Sequence, residues 1–477
     1  MSIKPPVSDG GLFRWPAGFG FAERRVASYG RKMTETEPSA RRDRRARRRW
    51  AIAGVALAVL AAFALLRRSE RVPTAWSLAT DEVFVGHGSD GSFFTAAKSD
   101  PENDGLATFA LRRRAIADGS LLDGPAEVGV SGERWDGFAL THLFDVFEFG
   151  GGRLLMAASI ASPDDPGEPP NRILAADGWA GVGESFVVES LDPALRWGTY
   201  PYDGHGDYAR RGDLVVWGRL DDLARGSVAA YEVRRLDPET LEATPLHAAE
   251  TIEPIVAATA DRSRLVVRRE DPASPGTDDW VLIEPPPPNA PGETARETVL
   301  GRALSSALFL GAGEAAFLND GTLLRPFETD QSLPGRAEVG WAVQRVGEPP
   351  KRIEATRMPL RGDEIAASTI EIDGPSRTAA MVLYTSRRVS IGQSDAIALA
   401  VTRLSDPLGE TATHRVVPID SGFVAGWLKT TDIAAVAIRG FSDDGRLLLM
   451  QTYATDAAGY VQPSGILAID VETILAE

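Results

Sequence analysis

From Val83 to the C-terminus the apolar residues fall in short runs, four to eight long and rich in Val, Leu, Ile, Phe and Ala, separated by Gly, Asp and Pro. No stretch there keeps a helical period, so the pattern predicts many short β-strands joined by turns. The runs come in pairs. The leading members are Ser92–Thr95, Arg153–Met156, Asp213–Trp217, Arg264–Val267, Glu314–Phe317, Thr378–Leu383 and Arg446–Met450. Their partners are Leu106–Leu111, Ile173–Ala176, Val228–Val233, Trp280–Ile283, Val339–Val343, Ala396–Val401 and Ile466–Val471. Successive partners start 67, 55, 52, 59, 57 and 70 residues apart, which brackets the length of a four-stranded repeat with variable loops.

Turn chemistry supports the unit. Leu236-Asp237-Pro238-Glu239-Thr240 and Leu404-Ser405-Asp406-Pro407-Leu408 follow the second run in two pairs, and Gly347-Glu348-Pro349-Pro350 follows it in a third. Proline after an acidic residue favours a type I turn, here leading to an outermost strand. Ser442-Asp443-Asp444-Gly445 precedes Arg446–Met450 and resembles the strand-leading turn of β-propellers. In architecture the chain is similar to bacterial membrane-anchored seven-bladed β-propeller repeat proteins, and no family-defining motif accompanies that resemblance. The expected fold is therefore all-β, a seven-bladed propeller over 83–477 preceded by one transmembrane helix; a pair of sandwiches is the alternative. The last repeat lacks an outermost strand, and Thr74–Thr80, within a linker at 67–82, is expected to supply it.

Upstream the pattern changes. Trp50–Leu66 is a 17-residue run without a charge. As a helix it spans about 26 Å, just enough for a hydrocarbon core helped by interfacial Trp and Arg. Seven arginines within 41–49 precede it and Arg67, Arg68 and Arg71 follow, which places the N-terminus in the cytoplasm and the large domain outside. The expectation is an uncleaved signal anchor in an inner (plasma) membrane; a cleaved signal peptide is the alternative. Residues 1–49 read as a disordered basic tail, in which Met33 is an alternative start. Residues 1–71 carry a net charge of +10 against −16 for the whole chain, so the remainder is strongly acidic. Such a domain does not bind nucleic acid through its overall field. There is no cysteine, which removes disulfides, thiolate metal sites and cysteine nucleophiles.

Candidate chemistry concentrates in two Gly-His-Gly loops, Gly86–Gly91 and Asp203–Tyr208. His87 and Asp90 of the first, with Trp197, Tyr200, Tyr202 and Tyr208 around the second, combine aromatic and polar groups suited to a glycan or peptide. The same aromatics equally suit the packing between blades. Asp203, His205 and Asp207 place carboxylate and imidazole at alternate positions, a donor set for a divalent ion; the competing reading is a glycine-rich turn with Asp bonded to local backbone. No other cofactor is expected. There is no Gly-x-Ser-x-Gly elbow, no His-Glu-x-x-His and no phosphate loop, so no catalytic motif supports an enzyme. Three readings follow: a membrane-anchored binding or scaffold module for a protein, peptide or glycan; a propeller hydrolase or lyase, metal-assisted through His205; and a structural spacer in an envelope assembly.

Overall fold

Most strands are buried on both faces, which is why the apolar runs are continuous rather than alternating. In Thr378–Thr385, Ala379 and Met381 pack toward one neighbouring sheet, whereas Ala380 and Val382 pack toward the other. Successive side chains of a strand point to opposite faces, so each strand feeds two hydrophobic layers. In the computed structural model the chain divides into units Met1–Arg67 and Arg68–Glu477. The structure describes residues 74–476 except 99–107, 134–136, 150–151, 162–170, 189–194, 197–213, 223–226, 250–252, 254, 272, 275–277, 287–293, 303–314, 329–337, 360–363, 386–396, 420–432 and 456–460. Trp50–Leu66 lies outside them, and no helix among the described residues is long and apolar enough to cross a membrane.

The described strands form seven sheets of four or five strands, in chain order from an inner to an outer edge except for one added outer strand in the second sheet and one in the seventh. The first contains Val83–His87, Ser92–Lys98, Phe109–Ala115 and Leu121–Glu127. The second runs Ala139–Glu148, Leu154–Ala161, Asn171–Ala176 and Ser185–Val187, with Val130–Ser131 added in parallel at its outer edge. The third has Leu195–Arg196, Leu214–Asp222, Ser227–Leu236 and Ala243–Ala249, and the fourth Ile255–Ala258, Leu265–Glu270, Asp278–Glu284 and Arg296–Arg302. In the fifth, Ala316–Phe317, Leu323–Glu328 and Glu338–Gln344 are followed by Lys351–Arg352 and Met358–Pro359, both on Glu338–Gln344. The sixth is Glu364–Asp373, Thr378–Thr385, Ile397–Leu404 and Ala412–Ile419. The seventh has Ile433–Phe441, Leu447–Thr455 and Val461–Asp470, and its outermost strand is Thr74–Ala79 from the other end of the domain.

Seven hydrophobic clusters occupy the seams, and each joins consecutive sheets. Phe94 and Met156 share the cluster of the first and second sheets, Leu155 and Leu236 that of the second and third, and Val233 and Val267 that of the third and fourth. Trp280 and Leu323 join the fourth to the fifth, Trp341 and Met381 the fifth to the sixth, and Val401 and Met450 the sixth to the seventh. The last cluster sets Phe84 and Phe93 against Leu449 and Ile466 and so returns from the seventh sheet to the first. Sheets joined in a closed cycle, each a meander, make a β-propeller.

The turns follow the sequence reading. Asp237 Oδ1 accepts the Glu239 and Thr240 amides at 2.9 and 2.8 Å before the strand Ala243–Ala249. Asp406 collects the amides of Thr411, Glu410 and Leu408, led by Thr411, and its carboxyl is pulled down to about 2. One strand departs from expectation. Glu314–Phe317, read from the sequence as a leading member, contributes Ala316–Phe317 to the inner edge, and the strand beside Glu338–Gln344 is Leu323–Glu328. Arg325 and Pro326 interrupt its apolar pattern, since a cation and a residue without an N–H are both unfavourable inside a sheet.

Candidate functional site

The first Gly-His-Gly sequence lies where three sheets meet. His87 ends the inner strand Val83–His87, and this strand adjoins the inner strand Ala139–Glu148 of the second sheet. A side chain on Gly86 would overlap the Val146 carbonyl, and one on Gly88 would overlap the Ser92 hydroxyl. A side chain on Gly440, on the inner strand of the seventh sheet, would overlap the His87 ring. The glycines thus permit close approach between elements rather than loop freedom. His87 Nε2 lies 2.9 Å from the Arg439 carbonyl oxygen. A carbonyl only accepts, so this nitrogen carries the hydrogen and donates it. The ring also meets Phe84 edge-on at 5.0 Å. In this arrangement Nε2 is neither a base nor a metal ligand.

Asp90 turns the other way. Its carboxylate pairs with Arg113 Nη2 at 2.8 Å, and Arg113 also pairs with buried Glu148 at 3.2 Å and donates from Nε to Ser92 Oγ at 3.0 Å. Glu148 accepts the Ser89 amide at 3.1 Å, which ties the loop to the second sheet. The Ser92 hydrogen bond, helped by Arg113 and opposed by burial, holds the Asp90 carboxyl below its ordinary range. His87 and Asp90 therefore serve two seams, one facing the seventh sheet and one facing the second. Of the remaining sequence candidates, Trp197, Tyr200, Tyr202, Asp203, His205, Asp207 and Tyr208 lie outside the described residues. Among the described residues no group of three His, Asp or Glu is placed to hold a metal ion.

Sequence reasoning missed the polar residues of the neighbouring inner strands. Arg439 is buried and donates from Nη2 to the Tyr453 hydroxyl; Asp145 is buried and accepts the Val146 amide at 2.8 Å. Register irregularities fall between Phe84 and Gly86, Leu143 and Asp145, and Ile438 and Gly440, so all three strands carry a break beside a polar residue. Bulges re-aim side chains and often flank sites. The row of guanidinium, imidazole and carboxylate from the seventh, first and second sheets is the candidate site, and it gathers hydrogen-bonding groups on three adjacent inner strands. The signal available beforehand was only a lone Arg or Asp inside an apolar run, which by itself selects nothing.

A search of solved structures finds distant likenesses. The chain is similar to the β-propeller domain of the Trilobed protease from Pyrococcus furiosus, at 11% identity over 69% of this chain and 95% of that one, with a TM-score of 0.34. It is similar to TolB from Acinetobacter baumannii at 12% identity over 79% and 80%, TM-score 0.31, and to a Mycobacterium tuberculosis puromycin-hydrolyzing peptidase at 13% over 84% and 54%, TM-score 0.45. The chain thus spans about half the length of that peptidase. No protein-family description matches the chain, and no curated protein matches it. Likeness this distant carries no argument about activity, and the propeller assignment rests on the sheet order and the closed cycle of seams.

Proposed function

We propose that this chain is a membrane-anchored, extracytoplasmic seven-bladed β-propeller that acts as a binding or scaffold module for a protein, peptide or glycan. The seven sheets are its blades, and Trp50–Leu66 is its anchor. One observation carries the reading: only seven residues, 67–73, separate the apolar run from Thr74–Ala79, the strand that completes the seventh sheet. A short linker between that run and the ring-closing strand supports an anchored domain, and loops carried on a rigid scaffold are where recognition residues concentrate.

The test has two arms, both on the full-length chain with a C-terminal tag. Protease added to intact spheroplasts removes the tag while a cytoplasmic control survives; a protected tag overturns the topology. Purified chain on peptide and glycan arrays gives saturable binding to one of the two classes. Absence of saturable binding to both overturns the binding module.

A further inference from the structure

The strand that breaks the sequence pattern also holds a buried charge with no carboxylate partner among the described residues. Arg325, on Leu323–Glu328, is only 6% exposed. Its guanidinium carbon sits 4.8 Å from the ring centre of Trp280, in the fourth sheet. Among the described residues Arg325 has no carboxylate within ion-pair reach, and its buried Nε has no hydrogen-bond partner. Burial alone pulls its pKa down to about 10, still far above neutrality, so the group folds as a cation. Buried cations are ordinarily paired, because desolvating an ion without a counter-charge is costly. A cation–π contact offsets part of that cost and satisfies no N–H.

The facing strand meets the guanidinium at an irregularity. Opposite Trp280 the strand Arg296–Arg302 carries a bulge: Trp280 pairs with Gly301 and Val281 with Val299, which leaves Leu300 unpaired. Gly301 has a φ of +119°, and a Cβ there would stand 3.7 Å from Arg325 Nη2, in ordinary contact, so the glycine backbone is what lies beside the guanidinium. The re-aimed Leu300 carbonyl accepts Gln344 Nε2 at 3.0 Å. That bond fixes the amide and leaves buried Gln344 Oε1 without a donor. Leu323 pairs with Gln344 and Arg325 with Ala342, so Arg325 and Gln344 share one face of the fifth sheet at a diagonal spacing of about 7–8 Å. An orphan cationic donor and an orphan acceptor bracket the same two residues of the facing strand.

We propose that the seam between the fourth and fifth sheets binds a small hydroxycarboxylate, with its carboxylate on the Arg325 guanidinium over Trp280 and its hydroxyl donating to Gln344 Oε1. A planar carboxylate matches the edge of a guanidinium whose face is already covered. The hydroxyl supplies the hydrogen that Gln344 lacks.

Thermal melts of the full-length chain in sodium glycolate, acetate, phosphate or chloride at equal ionic strength test this. Wild type rises by about 3 °C or more in glycolate over chloride, with a smaller rise in acetate. Gln344→Leu keeps the acetate response and loses the extra response to glycolate. Arg325→Leu melts in chloride at or above the wild-type temperature and responds to no organic acid. Equal melting of wild type in all four salts shows that water alone satisfies the two groups and overturns the proposal. A rise that persists in Arg325→Leu, or a larger rise in phosphate than in glycolate, overturns it too. Should Arg325→Leu not fold, the wild-type and Gln344→Leu arms still decide.

Discussion

Two neighbouring seams of the ring each contain an arginine, and they settle its charge in opposite ways. Between the third and fourth sheets, Arg269 bonds Glu297 at 2.7 Å and also bonds buried Glu253, which in turn accepts from His247 Nε2 at 2.8 Å. Those hydrogen bonds, from Glu297 first and Glu253 second, raise the Arg269 pKa, and Arg269 lowers that of Glu297. Between the fourth and fifth sheets, Arg325 has an aromatic face and, among the described residues, no carboxylate partner, and desolvation pulls its pKa down. The first cation belongs to the folded structure; the second is left with unfilled capacity. The more exposed arginine, with 29% of its side chain open to solvent, is the one that is paired, and the more buried one is not, so depth of burial does not set the role and the partners decide.

The largest effect that separates the seams comes from removing the shared carboxylate. Glu253→Leu leaves Arg269 and His247 without their common acceptor and is expected to cost about 3–5 kcal/mol in urea unfolding. Arg325→Leu, in chloride, is expected to be neutral or stabilising, because it replaces an ion without a carboxylate partner among the described residues by an apolar group. Equal losses would erase the distinction. A smaller effect sharpens it: Trp280→Phe keeps an aromatic face under Arg325 but narrows it, and a loss of about 1–2 kcal/mol is expected from melting curves. Trp341→Phe is the control, since Trp341 is buried with no guanidinium over it among the described residues; identical behaviour at both sites would mean the ring contributes only its volume.

The smallest effect is the pH dependence of the paired seam. The folded-state pKa of Glu297 is depressed by Arg269, so its contribution is present above the unfolded value of about 4.3 and fades as pH falls through the folded value. Its side chain is 40% exposed, so screening limits the term to about 0.5 kcal/mol. Urea midpoints at pH 6 and pH 3 should differ less in Glu297→Gln than in wild type by that amount, and an unchanged difference removes Glu297 from the acid sensitivity.

Much of the architecture could be read before any contact was known. Apolar runs of strand length, bounded by Asp-Pro turns such as Asp237-Pro238 and Asp406-Pro407, depend on local sterics and on burial of both faces, and both are written in residue order. Leu323–Glu328 was not readable, because Arg325 and Pro326 are unfavourable within a sheet by every local rule and are accommodated by a strand of the preceding sheet. His87 shows the same limit from the other side. Flanking glycines read locally as a pliant loop, whereas the partner of the imidazole is a carbonyl 352 residues away.

By itself the order of amino acids determined strand content, repeat length, the positions of the Asp-Pro turns and the charge split between the N-terminal segment and the rest. Tertiary structure alone decided which strand lies beside Glu338–Gln344 in the fifth sheet, which seam each polar side chain serves, and that Arg325 is buried without a carboxylate partner among the described residues. The reason is physical: backbone preference and apolar patterning act over a few residues, whereas the pairing of a buried charge depends on whatever the fold brings within about 4 Å of it.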